Sequence, residues 1–429
     1  MWRKGGPFPS RSRAAFGPQL RWSKRKDADG DIMQTARPLT GLRVLELGAY
    51  ISGPYAGGLL ASLGADVVKV EAPSGDAFRR GVGTDSHYFV QYNAGKRSIA
   101  VNLKDPRGVE LIKSMLPEFD VFIENSRPGK TAQLGLGPEV CHAINPRLIY
   151  SSASGFGDGG EWRDRAAYDS IGQSMGGFYS VMSEAGKPQL SGTCVGDLIT
   201  AITAVVGILA GLVGRGLDPQ GMGTLTQTSL MEAMSSLTID AMTQYNEIGS
   251  APTRQSRHPQ AQNFCLVCKG GDAVTLHLSS SQKFWQALTR AIERPDLAAD
   301  TRFTGYYDRM EHYFDLKPII EAEFAKRTRA EWEERLIAED VPFAPVLTMS
   351  ELAQHPQTEW LKLLEPERDG KLLVRPPMRF QGERPTRGFD APEVGQHSRE
   401  LAAEFCGPEE ADRLIADGVL LQHQVKEPA

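Results

Sequence analysis

The sequence predicts an α/β protein: a doubly wound parallel sheet forming a large domain, then a smaller α+β domain. Three observations carry this. Short β-rich runs alternate with helical stretches from residue 43 to residue 151, the pattern of repeated βαβ units. A glycine-rich turn follows the first run directly. The chain has 429 residues, more than one ordinary core holds.

The elements follow in order. Residues 43–47 read as a strand, 48–58 as a glycine-rich turn entering a helix that ends near Gly64, and 66–71 as a second strand. Residues 98–103 form a third strand. Pro106 opens a helix at its first turn, with Val109, Leu111, Ile112, Met115 and Leu116 at helical spacing. Strands are expected at 121–124 and 148–151, and a buried helix over the uncharged run 198–214. Residues 225–246 read as a helix or a strand–helix pair, and the polar stretch 251–259 as a hinge. A strand at 274–278 and helices at 281–292, 315–324 and 329–337 follow, with Phe284, Trp285 and Leu288 inward. The expected division is a basic, disordered extension over 1–37, a large domain over 38–225 and a small α+β domain over 226–341. Residues 342–429, rich in Pro, Gly and charge, are expected to return over the large domain.

Composition excludes several classes. A net charge of −5 gives no reason to expect a nucleic-acid or membrane partner. Five cysteines in so long a chain make no disulfide framework, which points to a reducing, cytoplasmic setting. Cys265 and Cys268 form a Cys-x-x-Cys with no second pair at zinc-site spacing, so no metal is expected and the run 264–268 reads as a strand with two small apolar thiols. The run 198–214 is short for a membrane span. The first 37 residues have no apolar core of a secretory signal, and Met33 is an alternative start.

Gly48, Gly53 and Gly57 after a strand, with Glu71 closing the next, suggest a dinucleotide turn and hence an oxidoreductase. The Gly-x-Gly-x-x-Gly spacing is absent, and Pro54 removes an N–H that would face a pyrophosphate. No nicotinamide or flavin is expected.

Asp197 directly precedes the uncharged run. A carboxylate there faces free N–H groups and the positive end of the helix dipole, which should hold it ionised. It can cap the helix, as most such residues do, or act as a nucleophile.

Wider patterning weighs for the second role. Leu39-Thr40-Gly41-Leu42-Arg43-Val44-Leu45-Glu46-Leu47-Gly48, then Gly53-Pro54-Tyr55-Ala56 and Leu63-Gly64-Ala65-Asp66-Val67-Val68-Lys69-Val70-Glu71, resembles the class III CoA-transferase family. The resemblance continues in Asn93-Ala94-Gly95-Lys96-Arg97-Ser98, Glu124-Asn125-Ser126-Arg127-Pro128-Gly129, Tyr168-Asp169, Gly196-Asp197, Ala344-Pro345-Val346 and Ala391-Pro392-Glu393-Val394-Gly395. It implies a Rossmann-like large domain, an interlocked homodimer, and transfer of CoA from an acyl-CoA to a free carboxylic acid through aspartyl anhydride and aspartyl-CoA thioester intermediates. CoA enters as substrate, with no permanently bound cofactor.

By the same resemblance the nucleophile is Asp197. CoA-binding positions fall on Ile51 and Ser52, on Val101, Asn102, Leu103 and Lys104, on Asn125, Ser126 and Arg127, and on Tyr168 and Asp169. Lys96, Arg97 and Lys130 are nearby cations for the CoA phosphates. Related acyl-CoA racemases carry a His before the Asp. Tyr168 is a poor base near neutral pH, so racemisation is the weaker alternative. Ile51, Ala72, Gln133 and Ala166 replace polar or cationic residues of formyl-CoA transferase, and only Gly270-Gly271 stands for its glycine run. Formyl or oxalyl transfer is therefore not expected.

Overall fold

A computed structural model describes residues 37–79, 86–184 and 186–423. The expectations for residues 1–36, Met33 included, lie outside the described residues.

Six strands run parallel: β1 (Arg43–Leu47), β2 (Asp66–Glu71), β3 (Arg97–Val101), β4 (Val121–Glu124), β5 (Ile149–Ser154) and β6 (Thr224–Ser229). A smaller antiparallel sheet holds β7 (Asn263–Val267), β8 (Ala273–His277) and β9 (Phe343–Pro345). The last strand, β10 (Leu420–Leu421), returns to the large sheet and pairs antiparallel with β3. The large sheet thus has the order β10-β3-β2-β1-β4-β5-β6. Strands 3-2-1 and 4-5-6 diverge from a switch point between β1 and β4, as in a Rossmann fold. Strand β6 ends at Ser229 and β9 at Pro345, each a few residues beyond the expected divisions at 225 and 341.

Ten helices belong to this first part: α1 (Ser52–Ser62), α2 (His87–Asn93), α3 (Pro106–Met115), α4 (Lys130–Gln133), α5 (Pro138–Ile144), α6 (Asp169–Met175), α7 (Phe178–Met182), α8 (Val195–Leu217), α9 (Leu230–Leu237) and α10 (Ile239–Ile248). Alternation along each buried strand sends successive side chains to opposite faces. Leu45, Val68, Ile99, Phe122 and Tyr150 meet Leu111, Ile112 and Met115 of α3 on one face. Val44, Val67, Val121 and Ile149 meet Leu59 and Leu60 of α1 and Ala201, Ala204 and Ile208 of α8 on the other. The middle segment has its own core, with Trp285, Phe303, Phe324 and Trp332 fully buried.

Caps explain several helix starts. Asp105 accepts from Arg107 N–H, and Pro106 takes the first helical position of α3. Ser86 and Ser229 cap α2 and α9 in the same way. Strand β3 runs one residue earlier and ends two earlier than expected. Asn102 N–H donates to Val419 O, and its side chain turns the chain by accepting from Lys104 N–H.

Three expectations need correction. The stretch 225–246 is a strand and two helices. Helix α8 is longer than expected, 23 residues, and it is not buried all round: Ile202, Val206, Val213 and Leu217 are exposed. By length and apolarity it could cross a membrane, yet it packs against α1, β5 and β6. Of the two thiols, Cys265 is exposed on β7, and only Cys268, just past the strand, is buried. The C-terminal stretch returns to the large sheet, with helices at Ser398–Cys406 and Pro408–Ala416 whose Leu401, Ala402 and Leu414 join the β3-side core.

Candidate active site

The C-terminal ends of β1, β2 and β4 open on a cavity of about 460 Å³. Its wall includes Gly48, Ala49, Tyr50, Lys69, Glu71, Asp76, Asn125, Ser126, Arg127, Lys130 and Tyr168. This is the crevice outside the switch point, where open α/β sheets bind ligands.

Asn125, the first residue past β4, bridges that crevice. Its Oδ1 accepts from Ala49 N–H at 3.0 Å, and its Nδ2 donates to Ala49 O at 2.8 Å and Ser52 Oγ at 3.0 Å. Gly53 makes room for it, since a Cβ there would sit 3.1 Å from Asn125 Cγ. Tyr50 between these groups is held at φ 64°, a strained region for a non-glycine residue. Its ring makes edge contacts with Phe78 and Tyr168, at 5.7 and 5.9 Å between centroids.

The floor is a buried charge network. Glu46 accepts from Lys69 Nζ at 3.2 Å and Lys96 Nζ at 2.6 Å. Lys69 also reaches Gly48 O at 2.7 Å and Asp76 Oδ2 at 3.0 Å. Burial pulls the Lys69 ammonium down, but Glu46, Asp76 and Glu71 more than offset this and hold it raised. Burial lowers Lys96 to about 8, with Glu46 opposing. Glu71 is clamped by Arg79 at 2.7 and 2.9 Å and by Ser98 Oγ at 2.7 Å. Burial likewise raises Glu124, against its bonds from Ser152 and Ser126.

The rim is different. Arg127 and Lys130 line the cavity and enter no ion pair among the described residues. Of the expected phosphate cations, Lys96 is sealed against Glu46, and Arg97 is held by Asp66 at 2.5 Å. Lys130 alone of the three reaches the cavity.

Tyr168 links the cavity to Asp197. It caps α6, and Asp169 follows it as the first residue of that helix. Asp169 Oδ1 accepts from Gly196 N–H at 2.8 Å and Asp197 N–H at 3.2 Å. Asp197 is therefore the third residue of α8, after an N-cap at Cys194, and the cap that sequence reasoning gave to Asp197 belongs to Asp169. The expected ionisation is corrected too. Burial, then the Asp169 charge, push the Asp197 carboxyl up from 3.8 to about 7. The free N–H groups that should have lowered it are occupied by Asp169. A carboxyl poised near neutrality marks a functional-site candidate.

Asn125, Ser126, Arg127 and Tyr168 thus come together at the cavity. Ser52 touches it through Asn125, while Ile51 is buried at the start of α1. Asp169, next to Tyr168 in the chain, and Asp197 are not among the residues that line the cavity. Val101, Asn102, Leu103 and Lys104 lie at the C-terminal end of β3, the strand beside β2, and are not among the residues that line the cavity. Sequence reasoning missed Tyr50, Tyr92 and Gln173. Tyr92 OH lies 3.9 Å from Cys194 Sγ, and Gln173 Nε2 donates to Asp169 Oδ2 at 2.6 Å. Their one sequence signal is position beside a motif. Among the described residues no group of three or more His, Cys, Asp or Glu could hold a metal ion.

Residues 39–398 match the model of CoA-transferase family III. The mouse (Mus musculus) succinyl-CoA:glutarate CoA-transferase is 30% identical over 99% of both chains. The acetyl-CoA:oxalate CoA-transferase of Acetobacter aceti is 33% identical over 87% of this chain and 97% of its own. A crystal structure of a CAIB/BAIF family protein from Brucella suis superposes with a TM-score of 0.75 at 30% identity, over 86% of this chain and 100% of that one.

Proposed function

The chain belongs to CoA-transferase family III and is a CoA-transferase, and on that premise we propose that Asp197 is the nucleophile that carries CoA from an acyl-CoA to a free carboxylic acid. An Asp197 oxygen attacks the thioester carbonyl carbon. The C–S bond breaks, CoA leaves as thiolate with the electron pair, and a mixed anhydride remains on Asp197. The thiolate then attacks Asp197 Cγ, the bond to the anhydride oxygen breaks, and the first acid departs as carboxylate. The acceptor carboxylate runs the sequence in reverse. No water enters and no net proton moves, so the activation of the thioester is kept.

The observation that carries this reading is the half-buried Asp197 carboxyl, held near 7 at the first turn of α8 and joined to the cavity through Tyr168-Asp169. The open Arg127 and Lys130 fit the CoA phosphates. Relatives named for glutarate and oxalate make dicarboxylic acids the first acceptors to test.

A homodimer accompanies the reading. Ile239, Met242, Tyr245 and Ile248 of α10 are exposed, as are Ile202, Val206, Val213 and Leu217 of α8, apolar side chains that a second copy could cover. All five cysteines are unpaired, which suits a reducing, cytoplasmic setting.

The test is a panel of acyl-CoAs and carboxylic acids, with new thioesters read by mass spectrometry. Asp197→Ala should fold and lose at least about a thousandfold in turnover. Hydroxylamine should label Asp197 only when an acyl-CoA is present. Unchanged turnover in the variant would remove Asp197 from the mechanism.

A further inference from the structure

We propose that Asp169 is a positioning residue for the nucleophile: its carboxylate fixes the backbone of Asp197 and supplies a like charge that Asp197 sheds on acylation. The proposal rests on the nucleophilic reading of Asp197. Five hydrogen bonds carry it. Asp169 Oδ1 takes the N–H groups of both Gly196 and Asp197. Its Oδ2 takes the amide of the fully buried Gln173 at 2.6 Å. Gln173 in turn accepts from Ser191 Oγ at 2.6 Å and donates to Thr193 O at 3.2 Å, which ties down the loop that delivers Asp197.

Besides Asp169, two protic side chains are coupled electrostatically to Asp197. From α2 comes the Tyr92 hydroxyl, neutral at pH 7 and pushed further up by burial, and on its own turn the Cys194 thiol, also raised by burial. Of the helices packed against α8, α1 carries Tyr55, whose hydroxyl burial raises, and α9 carries Glu232, which accepts from Ser229 Oγ. Asp169 is the one carboxylate that opposes ionised Asp197.

The consequence is chemical. When Asp197 attacks, its negative charge ends on the departing thiolate, and the repulsion from Asp169 is relieved. The like charge therefore raises the free ionised enzyme relative to both covalent intermediates, and it makes the Asp197 oxygen a more basic nucleophile. Asp169→Asn keeps an oxygen that can accept the two N–H groups and removes the charge.

The experiment titrates Asp197 by carbodiimide labelling with peptide mass spectrometry, beside the pH profile of kcat/KM. Labelling needs no turnover. In Asp169→Asn the midpoint and the acid limb should both move down by about one pH unit, and less Asp197–CoA thioester should be trapped per subunit at steady state. Asp169→Ser, neutral and still able to cap, serves if the Asn variant does not fold. A lowered kcat with unmoved midpoints would leave Asp169 a mere helix cap and overturn the proposal. Moved labelling midpoints in a protein with no transfer activity would overturn the nucleophile reading while sparing the electrostatic one.

Discussion

A carboxyl group that titrates near neutrality leaves a mark on stability as well as on rate. Asp197 rises from 3.8 to about 7 on folding, so the folded chain holds this proton more tightly than the unfolded one. The stability it contributes is fully present below pH 3.8 and is lost as pH rises through 7. Asp197→Asn should therefore melt above wild type at pH 8, by about 2 kcal/mol, with the gap closing towards pH 4; thermal scans at several pH values read this. An equal gap at every pH would mean the carboxylate is not strained. Activity has the opposite sign: kcat/KM should fall as pH drops below about 7, because only the ionised form attacks. The sequence placed Asp197 at a helix start, but it could not supply this charge state. That depends on burial and then on Asp169, 28 residues away in sequence, and both exist only after folding.

Helix α1 shows how an element can be shaped by what lies under it. Gly57 faces the buried Glu46 carboxylate, and a Cβ there would meet Glu46 Oε2 at 2.0 Å. That oxygen is tied to Lys96 and cannot swing aside. Alanine favours a helix over glycine by about 1 kcal/mol, yet Gly57→Ala should destabilise the protein by about 3 kcal/mol, read as a lower denaturant midpoint. A neutral or stabilising result would show that the network under β1 gives way. The strands were legible where alternation and burial agree. β2 and β4 fall where the β-rich runs predict them, because both faces of each are covered. The charge network was not legible. Lys96 reads in sequence as a cation for the CoA phosphates, and only the approach of α1, β1 and β2 turns it inward. The helices after residue 397 were missed because each buries few apolar residues among many charges. Val101 to Lys104 show the reverse limit, since a motif fixes order along the chain and leaves distance to the cavity open.

At the scale of the whole molecule, the exposed apolar faces of α8 and α10 make a test of assembly. Val206 is 62% exposed in the single chain, where Val206→Glu should be worth no more than about 0.5 kcal/mol. If two copies bury that face, the same change should halve the mass seen by light scattering. A wild-type monomer that is active at micromolar concentration would end the dimer reading, and a chain begun at Met33 should keep both mass and activity. The closing strand has a temporal consequence. β10 covers the open edge of β3 through Leu420–Val101 and Leu421–Ala100 pairs, and the two partners are made roughly 320 residues apart. At about 10 residues per second the ribosome needs about half a minute to supply the second. For that interval the nascent chain carries an unpaired, apolar sheet edge, a template for pairing with other chains. Synthesis speed and chaperone cover, more than equilibrium stability, should then decide how much of this protein reaches its native form.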